Sequence, residues 1–323
     1  MARRRIATSG VGPQRKAALA VPLVFRHERL ATISGQYSDG SVVAELPVGP
    51  YTYKNQQIMI VLNAQTDDPD NAGVSMTYEV NGTHYLKSSF FTKFVKKISL
   101  EIDGDVVRDV TAARSMQMNG HYGYDVVDGF HWMTFGGPRE FWDQGAEDAY
   151  LLGTGDLRDL RLNFDLTSDW VTGSMKIQIM SEYARIARPI AYLTTLKSFR
   201  YTFAAAGPVV ITDVPVNADL AQLFAFGTGI KHAKLEVDSQ FIFDGDYQQL
   251  MALNALYGRD VSALGDCVLF DFWREKNASK GLKALNADPQ IKRNADIRIH
   301  LDLEAATEVE IVARACGIYR SQG

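Results

Sequence analysis

This chain repeats itself once, at a spacing of about 136 residues, and that restricts its possible folds more than any other feature. At a shift of 135, Ile98-Ser99-Leu100-Glu101-Ile102-Asp103 falls on Ala233-Lys234-Leu235-Glu236-Val237-Asp238, with Leu, Glu and Asp identical. Met116, Asn119, Tyr122 and Gly123 then fall on Met251, Asn254, Tyr257 and Gly258. At a shift of 137, Asp159-Leu160-Arg161-Leu162-Asn163-Phe164-Asp165-Leu166 falls on Asp296-Ile297-Arg298-Ile299-His300-Leu301-Asp302-Leu303. A solenoid repeats one supersecondary element every roughly 20–50 residues. A unit this long is a whole β-sandwich domain, and strand, helix and strand recur in it in the same order.

The local pattern agrees. Apolar and polar residues alternate over Ile58–Leu62, Val74–Val80 and Ser174–Ile179, which predicts half-buried antiparallel strands. Asp67–Gly73 and Gly136-Gly137-Pro138 supply turn chemistry between such runs. Two helices interrupt the strands. The first is expected from about Val107 to Met118, stopping at Asn119-Gly120; the second covers Tyr247 to Tyr257, capped by Asp246 and stopped by Gly258. Proline cannot donate to a β ladder, so Ala187-Arg188-Pro189-Ile190 divides the copies. The expected organisation is an arm over residues 1–27, a first domain over 28–187 and a second over 188–323.

Charge is distributed unevenly. No acidic residue precedes Glu28, while Arg3, Arg4, Arg5, Arg15, Lys16 and Arg26 give residues 1–27 a charge of +6. The whole chain is −4, so residues 28–323 carry −10. The basic segment reads as a flexible arm kept on the mature protein; it is short of Ser and broken by Gly10, Gly12, Pro13 and Pro22, which disfavours a transit peptide. The apolar run Ala17–Phe25 is interrupted by Pro22 and is too short to cross a bilayer. Cys267 and Cys316 have no metal-ligand spacing and read as small core hydrophobes.

The residues that catalysis would need are not grouped in the sequence. There is no phosphate-binding glycine loop, nucleophile elbow or His-Glu-x-x-His. His27, His84, His121, His131, His232 and His300 are scattered singly, which argues against a duplicated metal-binding barrel. Asp68, Asp70, Gly73 and Glu79 sit at positions 1, 3, 6 and 12 of a calcium loop, but Ala72 spoils position 5 and the segment after it reads as a strand. No cofactor is expected; a weakly held structural Ca²⁺ at a subunit contact is the only one the residues admit. The carboxylate pairs Asp103/Asp105, Asp244/Asp246 and Glu140/Asp143 read as turns. The aromatic stretch from His121 to Trp142 (Tyr122, Tyr124, Phe130, Trp132, Phe135, Phe141, Trp142) reads as a core-filling or subunit-contact loop.

Certain segments carry a resemblance. They are Phe199-Arg200-Tyr201 with Val209–Pro215, the Leu235–Asp238 strand leading into the Asp246–Tyr257 helix, and the closing hairpin Ala295–Leu303 and Thr307–Tyr319. In these the chain resembles the double jelly-roll major capsid proteins of tailless, membrane-containing icosahedral phages, corticoviruses in particular. The resemblance covers about 125 residues of the second copy and extends to the first only in pattern. It implies an all-β chain of two tandem jelly-roll domains, each with one short helix, behind a basic N-terminal arm. It also implies a non-enzymatic homotrimer that tiles a capsid lattice in the virion after synthesis in the host cytoplasm. The implied partners are penton and minor capsid proteins and an internal membrane, touched through Arg3, Arg4, Arg5, Arg15 and Lys16, with no specific nucleic-acid readout. Two other classes remain open on the residues alone: a two-domain carbohydrate-binding module and a peptide N-glycosidase-like double jelly-roll hydrolase.

Overall fold

The computed structural model describes residues 24–35, 40–123, 131–134, 151–167, 175–214, 219–273, 282 and 295–318. The first half runs β1 (Phe25–Gly35), β2 (Gly40–Glu45), β3 (Thr52–Leu62), β4 (Thr77–Val80), β5 (Thr83–Leu86), β6 (Val95–Ile102), β7 (Asp105–Thr111), β8 (His131–Thr134), β9 (Leu152–Gly153), β10 (Leu160–Leu166) and β11 (Met175–Ala184). A single helical turn, α1 (Phe91–Phe94), precedes β6, and a longer helix, α2 (Ala112–His121), follows β7. The second half runs β12 (Tyr192–Phe203), β13 (Gly207–Ile211), β14 (Asp219–Phe226), β15 (Ile230–Val237), β16 (Gln240–Asp246), α3 (Tyr247–Leu256), β17 (Cys267–Asp271), β18 (Ile297–Leu303) and β19 (Thr307–Ile318).

The duplication is structural. β6 and β15 open at Val95 and Ile230, β7 and β16 at Asp105 and Gln240, and α2 and α3 at Ala112 and Tyr247, so each pair is 135 apart. β10 and β18 open at Leu160 and Ile297, 137 apart. Residues shared by the copies make the same bonds. Asp103 and Asp238 both take the left-handed conformation, with φ of 50° and 49°. The Asp103 carboxylate accepts from the backbone N–H groups of Arg158 (2.7 Å) and Asp159 (2.9 Å), and that of Asp238 accepts from Asp296 N–H (3.1 Å). Arg161 pairs with Asp159 and Glu101 at 2.9 and 3.8 Å; Arg298 pairs with Asp296 and Glu236 at 2.7 and 4.0 Å. Each helix ends on a glycine at positive φ, Gly123 (65°) and Gly258 (77°), a conformation that an L side chain would strain.

Two local expectations are corrected. The first helix starts at Ala112, with Thr111 Oγ1 accepting from Arg114 N–H at 3.3 Å, not near Val107. The Val106–Val110 stretch is rich in valine and lies one Asp-Gly turn from β6, so it completes a hairpin instead. The strand expected from Val74 opens only at Thr77, because residues 67–75 close into a loop through Asp68 N–H to Val74 O (2.7 Å) and an Asp67/Ser75 bridge.

Three sheets make up two sandwiches. In the first, β1-β11-β3 with β5, β4, β8 and β9 faces β7-β6-β10-β2; in the second, β17-β14-β19-β12 faces β13-β18-β15-β16. β7 and β12 pair in parallel, so the two facing sheets at the middle of the molecule fuse into one of eight strands. Inward residues alternate along each strand. Ile98, Leu100, Leu160, Leu162, Phe164, Ile177 and Ile179 fill the first core, and Leu223, Leu235, Phe270, Ile299, Leu301 and Ile311 the second. Among the described residues no helix is long and apolar enough to cross a membrane.

Candidate functional site

Among the described residues, the seam between the sandwiches brings together both polar and apolar side chains from the two halves. β7 presents Arg108 and Asp109 opposite Leu196 and Lys197 of β12, and the Arg108 guanidinium donates to Thr194 O at 3.3 Å. A third apolar cluster spans both halves: Val110, Met118 and Tyr122 from the first meet Leu196, Phe224, Phe226, Leu264, Leu269 and Val312 from the second. α2 lies across this junction. Its Arg114 donates to Glu310 (2.9 Å) and stacks on Phe226, the guanidinium carbon 4.0 Å from the ring centroid. Ser198 donates to the other Glu310 oxygen at 2.5 Å. Tyr122 O–H donates to Gln222 and accepts from Arg314 at 2.6 Å, and His121 Nδ1–H donates to Asp260 O at 2.8 Å. A cavity of about 30 Å³ lined by Arg108, Ser115, Asn119 and Arg314 is large enough for a water.

The connection between copies is clamped as well. Gly153 and Gly155 let the Arg188–Pro189 backbone approach so closely that a Cβ at Gly153 would lie 2.5 Å from Arg188 O. Gly155 N–H donates to Arg188 O at 2.7 Å, Ile190 N–H to Asp156 at 3.3 Å, and Ile190 and Leu193 bury their side chains in the first core. Behind the seam, Arg259 and Asp271 form an ion pair at 3.1 Å with both side chains fully buried. Arg259 also donates to Trp273 O and lies over the Tyr122 ring.

The residues singled out in the sequence fall in varied places. Arg3, Arg4, Arg5, Arg15 and Lys16 lie outside the described residues. In the acidic loop, Asp68 accepts from Lys93 (2.5 Å), from Asn71 and from Asp70 N–H, and Lys93 also reaches Asp70 at 2.7 Å. An internal ammonium thus occupies the space between the two carboxylates that would open a calcium loop. Its hydrogen bond lowers the Asp68 carboxyl to about 2. Asp103 caps its turn, Asp244 and Asp246 flank His232 at 2.7 and 2.8 Å, and Glu140 and Asp143 lie outside the described residues. Of the aromatic stretch, His121 and Tyr122 are buried in the seam. Tyr124, Phe130, Phe135, Phe141, Trp142 and the Trp132 side chain lie outside the described residues. Cys267 and Cys316 are both buried, and burial pushes the Cys267 thiol up. Among the described residues no group of three His, Cys, Asp or Glu converges as a metal site.

Sequence reasoning did not find the seam. One available signal was that the copies differ sharply where α2 and α3 should match: Arg114 stands against Gln249 and His121 against Leu256.

No protein-family model and no curated protein matches the sequence. Solved structures do. The major capsid protein of bacteriophage PM2 superposes with a TM-score of 0.73 at 18 % identity, over 93 % of this chain and 100 % of that one. The atomic structure of Sulfolobus turreted icosahedral virus gives 0.61 at 11 % identity, covering 92 % of each chain. The PBCV-1 virus capsid gives 0.57 at 10 %, covering 91 % of this chain and 94 % of that one. At these identities the likeness is one of fold: the chain is a double jelly roll of the kind seen in these viral capsid proteins.

Proposed function

We propose that this chain is a major capsid protein: a structural, non-enzymatic subunit that trimerises into pseudo-hexameric blocks and tiles an icosahedral shell around an internal membrane. The observation that carries this reading is the fusion of two like sandwiches into one eight-stranded sheet by the β7–β12 ladder and the clamped linker. Among the described residues the junction is filled by packed apolar side chains and bonded charges, which suits a rigid building block. Two similar bodies fixed in one chain give a three-fold assembly six near-equivalent flanks. The division at 27/28 and 187/188 belongs to the same proposal, as do the virion location, the synthesis in the host cytoplasm and the penton and minor capsid partners. Mass in solution tests it. The expected species is three times the 35.9 kDa chain, and a monomer at every salt and protein concentration would overturn the reading.

Within this proposal the +6 segment before Glu28 faces the membrane. Each basic residue at an anionic surface contributes about 1 kcal/mol, screened by salt. Deleting residues 1–20 should leave a folded trimer and abolish salt-sensitive co-sedimentation with anionic vesicles; undiminished vesicle binding by the truncated chain would remove the arm from the proposal.

A further inference from the structure

We infer that the intrachain seam is the template for the contact between chains: β16 of one copy adds in parallel to β1 of the next, with α3 packed on that neighbour's β1-β11-β3 face. The inference rests on the capsid reading above and names the surfaces that reading leaves open. β16 is the counterpart of β7 at the 135-residue shift, and β12 and β1 are counterparts because each opens its copy and pairs with its closing strand, β19 or β11. Inside one chain β7 meets β12. β16 and β1 are each the last strand of their sheets among the described residues. An exposed sheet edge is a ready partner for strand addition.

The helices show which flank is covered. On α2 only Ala113 is exposed: Ala112 and Met116 pack on the first core, and Arg114, Met118 and His121 are covered by the second sandwich. On α3 the residues Gln248, Gln249, Ala252, Ala255 and Leu256 are exposed. The sharpest contrast is one pair of equivalent positions: His121 is 1 % exposed in the seam, and Leu256 is 78 % exposed, with nothing over it among the described residues. Charge does not choose this docking: β16 offers Asp244 and Asp246, partly neutralised by His232 and Lys234, and β1 offers exposed Arg26, His27 and Arg29 but also Glu28, so the pairing rests on the two strand edges and the helix flank.

The register follows from the template. β11 and β19 open 132 residues apart, at Met175 and Thr307, so Glu182 corresponds to Arg314. His27 pairs with Glu182 and Leu196 with Arg314, which makes His27 the counterpart of Leu196. The ladder pairs Arg108 with Leu196 and Asp109 with Lys197; shifted by one copy, Phe243 pairs with His27 and Asp244 with Glu28 of the neighbour. The contact is head to tail, and three copies close a ring in which covalent and non-covalent versions of one seam alternate.

Two variants of the full chain test this. With Glu28→Cys and Asp244→Cys together, mild oxidation should convert most of the trimer into a covalent three-chain species on a non-reducing gel, while either single change gives none. The native Cys267 and Cys316 are buried and should not contribute. Leu256→Asp, at an exposed position, should leave the monomer's melting temperature unchanged and weaken trimerisation at least tenfold. A trimer that forms without the 28–244 crosslink and tolerates Leu256→Asp would overturn this pairing and leave the capsid reading intact. A parent chain that never trimerises would overturn both.

Discussion

Asp271→Ala should destabilise the chain by about 3–5 kcal/mol, the usual cost of removing one partner from a buried ion pair. Asp271 and Arg259 are both fully buried, 3.1 Å apart, and the second Asp271 oxygen accepts Trp273 N–H at 2.8 Å. Truncation leaves a buried guanidinium without its carboxylate, while its contacts to Trp273 O and the Tyr122 face carry no compensating charge. The cost reaches the seam because Tyr122 is the residue through which α2 bonds Gln222 and Arg314. Urea denaturation should show a lower midpoint with little change in slope. The double change Arg259→Met with Asp271→Leu should recover most of the loss, since a well-packed apolar pair of similar volume replaces a buried ion pair at little cost. A loss below 1 kcal/mol in the single variant would mean that the pair is hydrated and that the buried-charge account is wrong.

The sequence made one half of this architecture readable and hid the other, for physical reasons. What recurs in both copies is what each sandwich needs by itself. Alternating Leu and Ile fill a core, the Asp103 and Asp238 carboxylates hold a tight turn to the next strand's start, and Arg161 and Arg298 sit in matching acidic pairs. Such residues stand out because their jobs are local and done twice. The seam is done once. Arg114, Tyr122, Arg314 and Glu310 meet across separations of up to 196 residues, and no periodicity marks a contact made by a parallel pairing of two sheet edges. The late start of α2 has a similar origin: residues 107–111 have a spacing open to helix, and their pairing with β6 decides for strand. The acidic loop looked like half a calcium site because the lysine that neutralises it, Lys93, lies 25 residues downstream of Asp68.

Acid should loosen the same seam. His121 and His131 are buried, at 1 % and 4 % exposure, and burial lowers both to about 4 from the ordinary value of 6.5. At His121 the charges of Arg259 and Arg314 add to the effect. Both rings grip α2: His121 ends the helix on Asp260 O, while His131 bonds Ser115 at 3.1 Å and stacks on Phe91 with centroids 4.6 Å apart. The unfolded chain takes up protons at these sites as pH falls through 6.5, and the folded chain resists until about 4. Stability is therefore intact above pH 6.5 and declines across that window. The loss approaches about 3 kcal/mol for each histidine at its lower end. His232 works in the opposite sense, because its hydrogen bonds to Asp246 and Asp244 raise its pKa; its contribution is full below 6.5 and fades as pH rises through the raised value. Unfolding midpoints measured from pH 7.5 to 4.5 should fall steeply, and His121→Asn, which keeps an N–H donor without a titrating ring, should remove about half of the slope. NMR titration should show His121 and His131 still neutral at pH 5 and His232 charged above pH 6.5. A flat stability profile across the window, or a His121 ring that titrates near 6.5, would show that α2 is not held by neutral imidazoles and that the seam opens by some other route.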